Sequence, residues 1–307
     1  MRDAVKGDTA ILTRGLEKSY GNVQALRGLN LEVREGDIFG YLGPNGAGKS
    51  TTIRCLLDVI RPQAGLVRVL GLDPQAHPVE VRRKVGYLPG ELHLDESLTG
   101  QAALRFFNEL RGGVADGAYI DELAGRLKVD LGRPIRNLSH GNKQKIGVIQ
   151  ALMHRPELLL LDEPTTGLDP LMQQEVLKLV REARERGATV FFSSHIISEV
   201  EALAERVAII RQGVVVEVAD IGTLRARAIR RTHVRFKQPV DGARILALPG
   251  VELLSQDDNT AMWLQVRGDM DALVKTLAQY PVDDIETQRP SLEEIFLAYY
   301  QGAHEEA

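Results

Sequence analysis

The octapeptide Gly43-Pro44-Asn45-Gly46-Ala47-Gly48-Lys49-Ser50 is the most informative stretch of this sequence. It matches the pattern G-x-x-x-x-G-K-[ST], in which glycines let backbone N–H groups approach phosphate oxygens closely. The apolar run Ile38-Phe-Gly-Tyr-Leu42 precedes it and is typical of a buried strand, while helical spacing begins at Thr52. A strand, a glycine-rich turn and a helix in this order argue against an accidental turn. The sequence therefore predicts a phosphate-binding loop.

The residues of this loop have distinct predicted roles. The backbone from Gly43 to Thr51 binds phosphates, helped by a partial positive charge of about one half at the N-terminus of the following helix. Lys49 neutralises the β- and γ-phosphates of a nucleoside triphosphate, and the Ser50 hydroxyl binds Mg²⁺. The loop thus predicts a nucleotide site that requires a divalent cation.

A second motif is the apolar run Leu158-Leu-Leu-Leu-Leu161, which ends in Asp162-Glu163-Pro164. A buried strand that ends in two carboxylates is costly unless they meet a cation or water. Asp162 suits a water-mediated contact with Mg²⁺, and Glu163 suits polarising the water that attacks a phosphate. Taken alone, the run is equally compatible with a strand end that carries two solvated acids. The phosphate loop upstream favours the catalytic interpretation.

Strands and helices alternate through the first two thirds of the chain. A third buried strand is expected over Thr189–Ser194, after a helix over Leu171–Arg186 that Gly187 ends. This alternation predicts an α/β fold with a parallel sheet covered by helices on both faces.

The pattern changes near Thr223, and we expect a nucleotide-binding domain over residues 1–222 and a second domain over 223–307. The second has the order β-α-β-β-α-β of a small α+β, ferredoxin-like unit. Its predicted elements are a strand (Thr232–Phe236), a helix (about Asp241–Leu248), two strands (Val251–Ser255, Ala261–Val266), a helix (Asp269–Tyr280) and a strand (Val282–Thr287). A final helix is expected after Pro290, where Ser291 and Glu294 form a capping box.

Composition excludes several classes of protein. The 307 residues suit about two domains, and 42 acidic against 38 basic residues leave a net charge of −4, so no nucleic acid is expected as a partner. No apolar run approaches the roughly 20 residues that span a bilayer, and no apolar signal segment begins the sequence. The single cysteine, Cys55, favours a reducing cytosol. The arginine-rich stretch Arg225–Arg231 suits a solvated helix face or linker, or recognition of an acidic surface.

Five ordered motifs and an upstream tyrosine resemble those of the ATP-binding subunits of ABC transporters over residues 9–222. They are Tyr20, the phosphate loop, Leu138-Ser139-His140-Gly141-Asn142, Asp162-Glu163, Gly167-Leu168-Asp169 and His195. The resemblance implies a P-loop NTPase fold: a RecA-like core, an antiparallel β subdomain at the start and a helical subdomain near residues 90–155. It also implies that two such domains close head to tail around two ATP molecules.

The resemblance assigns roles to residues outside the phosphate loop. Tyr20 would stack on adenine, although without the other motifs it would be an ordinary tyrosine at a strand end. Ser139 and Gly141 would contact the γ-phosphate held by the opposite protomer, and Asp169 would lie at the seam between protomers. His195 would hydrogen-bond the γ-phosphate and position Glu163, so that Glu163 and His195 are the expected catalytic pair.

Two departures from the family pattern stand out. Where the family carries a metal-sensing glutamine, this sequence has Gly90, followed by Glu91. Glu91, an additional water or a more loosely held metal are the alternatives that this leaves open. The second departure is His140, which adds bulk and a titratable group to a signature that keeps Ser139 and Gly141.

We therefore expect an ATPase that uses Mg²⁺, dimerises as a homodimer or heterodimer and powers export through a separate integral membrane permease. Its expected location is cytoplasmic, peripheral on the inner face of the cell membrane. Export is inferred because the region after residue 225 resembles the extension of drug and antibiotic export ATPases. Selectivity in this family belongs largely to the membrane partner, so no substrate is predicted.

Three alternative functions fit the sequence less well. Soluble ABC ATPases of DNA repair or translation carry two nucleotide domains or a long coiled-coil insertion, and neither occurs between Lys49 and Ser139. A nucleotide-gated regulator without turnover is disfavoured because Glu163 and His195 are both present. A small GTPase is disfavoured because the segment 142–145, Asn-Lys-Gln-Lys, lacks the aspartate that reads guanine.

Overall fold

The computed structural model describes residues 9–223 and 230–288. The chain divides into two compact units, residues 1–218 and 219–307. The boundary that we predict between residues 222 and 223 stays a prediction. The helix expected after Pro290 lies outside the described residues, as do Arg225 and Arg227 of the arginine-rich stretch. Within the described ranges, no helix is both long and apolar enough to cross a membrane.

The elements up to residue 220 alternate largely as the sequence predicts. The first are β1 (Thr9–Tyr20), β2 (Val23–Arg34), β3 (Ile38–Leu42), α1 (Lys49–Leu56), β4 (Ala64–Val69), α2 (Pro78–Lys84) and β5 (Val85–Leu88). The next are α3 (Gly100–Leu110), α4 (Gly117–Arg126), α5 (His140–Leu152), β6 (Leu158–Asp162), α6 (Pro170–Glu185), β7 (Thr189–Ser194), α7 (Ile197–Leu203), β8 (Arg206–Arg211) and β9 (Val214–Asp220).

A six-stranded sheet in the order β5-β6-β7-β3-β8-β9 forms the centre of this unit. Strand β3 pairs in parallel with β7 and β8, and β6 pairs in parallel with β5 and β7. Every residue of β3, β6 and β7 is buried, which is why their sequences are so apolar. The carboxyl ends of these strands meet at one edge, where Leu42 lies opposite Ser194 and Asp162 lies opposite Ser193. Ligands of such sheets bind at this edge.

The other two parts of this unit are an antiparallel sheet and a group of helices. The sheet has the order β2-β1-β4 and confirms the predicted antiparallel β subdomain. Helices α3, α4 and α5 occupy the predicted helical region. Each begins after a residue whose side-chain oxygen accepts a hydrogen bond from a backbone N–H of the first turn, namely Thr99, Asp116 and Ser139.

The C-terminal unit has the predicted β-α-β-β-α-β order. Its elements are β10 (Arg230–Phe236), α8 (Ala243–Leu246), β11 (Val251–Asp257), β12 (Ala261–Val266), α9 (Asp271–Leu277) and β13 (Val282–Gln288). They form one antiparallel sheet in the order β11-β12-β10-β13, so β12 is inserted between β10 and β11 as in a ferredoxin-like unit. Both helices are shorter than predicted. The chain leaves α8 shortly before Pro249-Gly250 and α9 shortly before Pro281, and proline and glycine do not continue a helix.

Candidate active site

The loop between β3 and α1 adopts a conformation that its glycines permit. Gly46 and Gly48 have φ angles of +80° and +110°, a region that other residues rarely adopt. A Cβ atom on Gly48 would lie 2.7 Å from the carbonyl oxygen of Ala25, so no larger residue fits there. Helix α1 begins at Lys49, which directs the free N–H groups of its first turn toward the loop. The loop and the first turn of α1 therefore have the backbone conformation that the predicted phosphate loop requires.

The Lys49 ammonium lies inside this loop. Its Nζ donates hydrogen bonds to the carbonyl oxygens of Gly43 at 2.6 Å and Pro44 at 3.2 Å. The same atom lies 3.2 Å from Oε1 of Glu163, across the sheet edge. Lys49 is buried, so its positive charge is concentrated between the loop and the end of β6.

The two carboxylates at the end of β6 have different surroundings. Asp162 is 1% exposed, and its Oδ1 accepts a hydrogen bond of 2.5 Å from Ser193 Oγ. The Glu163 N–H donates to the carbonyl oxygen and to Oγ of the same serine, both at 3.2 Å. Glu163 has a φ of +53°, a conformation that costs energy for a residue with a Cβ. Ser193 thus holds both carboxylate residues at the strand end.

His195 contacts the carboxylate of Glu163 directly. Its Nδ1 lies 2.7 Å from Glu163 Oε2, while the opposite oxygen of Glu163 faces Lys49. The His195 side chain is 44% exposed and that of Glu163 is 17% exposed, so both remain accessible from solvent. A carboxylate held between an imidazole and an ammonium is oriented, which is what a general base requires.

A cavity of about 440 Å³ brings most of the predicted site residues together. Those that line it are Pro44, Asn45, Gly46, Gly48, Lys49, Ser50, Thr51, Gly90, Glu91, Glu163 and His195. Ala25 and Thr166 line it as well, although no motif drew attention to them. The predicted site residues that do not line it are Tyr20, Gly43, Ala47, Ser139, Gly141, Asp162 and Asp169.

The signature segment and the segment after Glu163 contact each other closely. The Ser139 Oγ accepts from the Asn142 N–H at 3.3 Å and caps α5. A Cβ on Gly141 would lie 2.6 Å from the carbonyl oxygen of Gly167, and one on Gly167 would lie 2.5 Å from Cδ2 of His140. The His140 ring thus covers Gly167. Asp169 caps α6 through its Oδ1, which accepts from two backbone N–H groups of the first turn.

Gly90, the departure from the family pattern, lies against Asp162. A Cβ on Gly90 would be 3.0 Å from Asp162 Oδ2, which is a tight contact. A side chain at position 90 would therefore press against the Asp162 carboxylate, which would have to move slightly to make room. Tyr87 is the third residue of β5, and burial, followed by the negative charge of Asp162, raises the pKa of its phenol.

Sequence reasoning missed residues that support the site from other elements. Ser193 is one, and Gln144 is another: its Nε2 donates to the carbonyl oxygens of Glu163 at 3.2 Å and Pro164 at 3.4 Å. Gln144 is buried on α5, far from Glu163 in sequence. The one available signal for Ser193 was its position. It lies at the end of an apolar strand, two residues before His195, and therefore at the sheet edge where the site is expected.

Comparisons with known proteins agree with this geometry. The family model described as "ABC transporter" matches residues 26–166. The daunorubicin resistance ATP-binding protein DrrA3 of Streptomyces coeruleorubidus is 36% identical over 94% of this chain and 95% of its own length. The linearmycin resistance ATP-binding protein LnrL of Bacillus subtilis is 32% identical over 92% and 95%, and the bacitracin transport ATP-binding protein BcrA of Bacillus licheniformis is 38% identical over 75% of each.

A solved structure of an ATP-binding subunit of an ABC transporter superposes with a TM-score of 0.65 at 28% identity, covering 71% of this chain and 92% of that one. A dimeric bacterial ABC transporter cassette shares the fold, with a TM-score of 0.62 at 24% identity over 69% and 98%. Because relatives above 30% identity are matched along nearly their whole length, the chain belongs to the ABC transporter family, in which it is an ATP-binding and ATP-hydrolysing subunit.

Proposed function

We propose that this ATPase powers export through a separate integral membrane permease, to which it attaches at the inner face of the cell membrane. The observation that carries the ATPase mechanism is the contact of Glu163 with both Lys49 and His195 at the edge of the cavity. The relatives are named for resistance to daunorubicin and linearmycin and for bacitracin transport. These names support export over DNA repair or translation, and they support a drug-like or antibiotic substrate.

In the proposed mechanism the binding and catalytic tasks are divided among these residues. The backbone from Gly43 to Thr51 and the Lys49 ammonium hold the β- and γ-phosphates of ATP. Glu163 orients the attacking water and accepts its proton, and His195 holds the carboxylate and hydrogen-bonds the γ-phosphate. Most of the acceleration then comes from positioning and charge neutralisation, as in other phosphoryl transfers.

The residues at the site fit Mg²⁺ as the partner of ATP. Ser50 lines the cavity, and Asp162 supplies a buried carboxylate whose Oδ2 is turned toward Gly90. The described residues contain no cluster of three or more His, Cys, Asp or Glu side chains that could hold a metal. Mg²⁺ keeps several waters and is bound by one or two protein oxygens together with substrate phosphates, so a small donor set suits it. When bound, Mg²⁺ would neutralise charge on the phosphates.

We further propose that Ser139, Gly141 and Asp169 act on ATP held by a second copy or a related chain, in a head-to-tail dimer. Ser139 and Asp169 are exposed, and none of the three lines the cavity of its own chain, which supports a contact made in trans. Tyr20, 46% exposed at the end of β1, is proposed to stack on adenine.

The test is Glu163→Gln, which keeps the shape of the side chain and removes its negative charge. We expect ATP to bind as tightly as to the wild type, turnover to fall by about 1,000-fold or more, and an ATP-bound dimer to accumulate. Measurements of ATP hydrolysis, nucleotide affinity and molar mass in solution check the three outcomes. In parallel, Lys49→Ala should weaken ATP binding itself, because it removes the buried charge beside the phosphates.

The matched control is Glu185→Gln, the same substitution at an exposed glutamate that ends α6. It should hydrolyse ATP like the wild type. Turnover by Glu163→Gln at the wild-type rate would remove Glu163 from its catalytic role, and undiminished ATP binding by Lys49→Ala would remove the assignment of the phosphate loop.

A further inference from the structure

We propose that Glu199 is a positioning residue that fixes the distance between Glu163 and His195. The proposal rests on the proposed function of that pair as the catalytic base and its histidine partner. Glu199 lies in α7, outside every motif of the sequence, and does not line the nucleotide cavity.

Each carboxylate oxygen of Glu199 holds one hydroxyl group. Oε1 accepts a short hydrogen bond from Thr165 Oγ1, and Oε2 accepts from Ser194 Oγ at 2.8 Å. Glu199 is 6% exposed, and the threonine and serine are 1% and 0% exposed. A carboxylate buried to this extent is costly unless its oxygens have donors, so both hydroxyls are needed to keep it there.

The two hydroxyls belong to the two segments that carry the catalytic pair. Thr165 follows Glu163 by two positions, and Ser194 directly precedes His195. Since Glu163 and His195 touch each other at 2.7 Å, the contacts form a closed ring through Glu199. A displacement of either segment would leave one buried carboxylate oxygen without its donor. Glu199 therefore resists any change in the relative position of Glu163 and His195.

A purely local role as a helix cap does not account for this geometry. Glu199 is the third residue of α7, where a capping-box glutamate would accept from the N–H of the residue that precedes the helix, Ile196. That N–H instead donates to Ser194 Oγ at 2.9 Å. Both oxygens of Glu199 are directed to side chains of other segments. The left-handed backbone of Glu163 adds a reason for such support, because a strained conformation persists only when its surroundings hold it.

The test compares Thr165→Val with Thr165→Ser. Valine has nearly the shape of threonine and lacks the hydroxyl, whereas serine keeps the hydroxyl. Hydrogen-bond partners that orient metal ligands typically contribute about 10- to 100-fold to activity, and by analogy we expect Thr165→Val to lower kcat by about that factor. KM for ATP and nucleotide affinity should change by about twofold or less, because the phosphate loop is untouched. Thr165→Ser should restore most of kcat. Thermal unfolding monitors the fold of each variant.

Glu199→Gln is the second variant, for the case in which Thr165→Val fails to fold. A glutamine keeps one oxygen acceptor and turns an N–H group toward the other hydroxyl, and kcat should again fall while ATP affinity is kept. Wild-type kcat in Thr165→Val, or equal losses in Thr165→Val and Thr165→Ser, would overturn the proposal. So would a loss of ATP affinity as large as the loss of kcat. These outcomes leave the proposed function standing, since that function is tested separately, by turnover in Glu163→Gln and by ATP binding in Lys49→Ala.

Discussion

The described interior of the first unit buries lysine, aspartate, glutamate and serine side chains, whereas that of the C-terminal unit buries one polar side chain, Thr232. In the first unit, Lys49, Asp162, Ser193 and Glu199 lie near the carboxyl edge of the parallel sheet, and each has a partner that compensates its burial. In the C-terminal unit the sheet and its two helices enclose an apolar cluster that includes Val234, Ile245, Met262, Leu264 and Leu273.

The two units therefore differ in where charged and polar side chains are buried: the first unit buries several of them at the candidate site, and the C-terminal unit buries almost none among its described residues. Desolvating a charged group costs several kcal/mol and is tolerated where partners are arranged around it. Such an arrangement orients each group, which catalysis requires and a simple core does not. The C-terminal interior carries no comparable set of oriented groups among its described residues, so its stability depends on apolar contacts.

The largest expected effect comes from breaking the apolar interior. Leu264 is 0% exposed on the inner face of β12, and Leu264→Ala should lower the free energy of unfolding of the C-terminal unit by about 2–5 kcal/mol. The cost combines lost apolar burial with the cavity left behind. Denaturant unfolding of the whole chain, followed by hydrogen exchange at the amides of β10 and β12, measures it.

The matched control is Leu254→Ala on the neighbouring strand β11, where the leucine is 48% exposed. A surface substitution of this kind should change the free energy of unfolding by about 0.5 kcal/mol or less. Equal effects at positions 254 and 264 would mean that the cluster around Leu264 does not stabilise this unit.

A smaller effect is expected at His154, a half-buried residue of the first unit. Burial, followed by the positive charge of Arg111, lowers the pKa of His154 to about 4, while its hydrogen bond to the Val85 carbonyl oxygen acts in the opposite direction. Its Nδ1 is buried without a hydrogen-bond partner. A histidine in the unfolded chain has a pKa of about 6.5. Between this pH and pH 4 the unfolded chain therefore binds more protons than the folded one. Stability is therefore lost as the pH falls through this range.

From pH 7 to pH 5 this one group should lower the free energy of unfolding by at most about 2 kcal/mol. His154→Gln keeps an N–H donor for Val85 and removes the titration, so its loss over the same range should be smaller. Denaturant unfolding at both pH values checks the difference. If the two proteins lose the same free energy, the acid sensitivity of the first unit arises at other groups.

The sequence predicts those features that local patterns determine. Continuous apolar runs identify β3, β6 and β7, the glycines identify the phosphate loop, and alternation with turns identifies the β-α-β-β-α-β order of the C-terminal unit. These patterns are local because burial on both faces and turn conformation each depend on a few consecutive residues.

Contacts between distant segments were not predictable in this way. Ser193 reaches Asp162 because β6 and β7 are neighbours in the sheet, and Gln144 reaches the Glu163 backbone because α5 lies beside it. The pairing of Glu199 with Thr165 needs both the strand order and the position of α7. A single sequence contains no local signal for such neighbours, so most residues that line the cavity were predicted and those that support them from other elements were not.

The smallest expected effect comes from making the same threonine-to-valine substitution in the interior of each unit. Thr232 is 0% exposed, and its Oγ1 is buried without a hydrogen-bond partner, whereas the equally buried Thr165 donates to Glu199. Thr232→Val removes an unpaired hydroxyl at nearly constant shape, so it should raise the free energy of unfolding by about 1 kcal/mol. Thr165→Val removes a paired hydroxyl and should not stabilise the chain. Denaturant unfolding of both variants measures the two changes. Destabilisation by Thr232→Val would mean that the hydroxyl is paired in solution, by water for example, and that the C-terminal interior also depends on a polar contact.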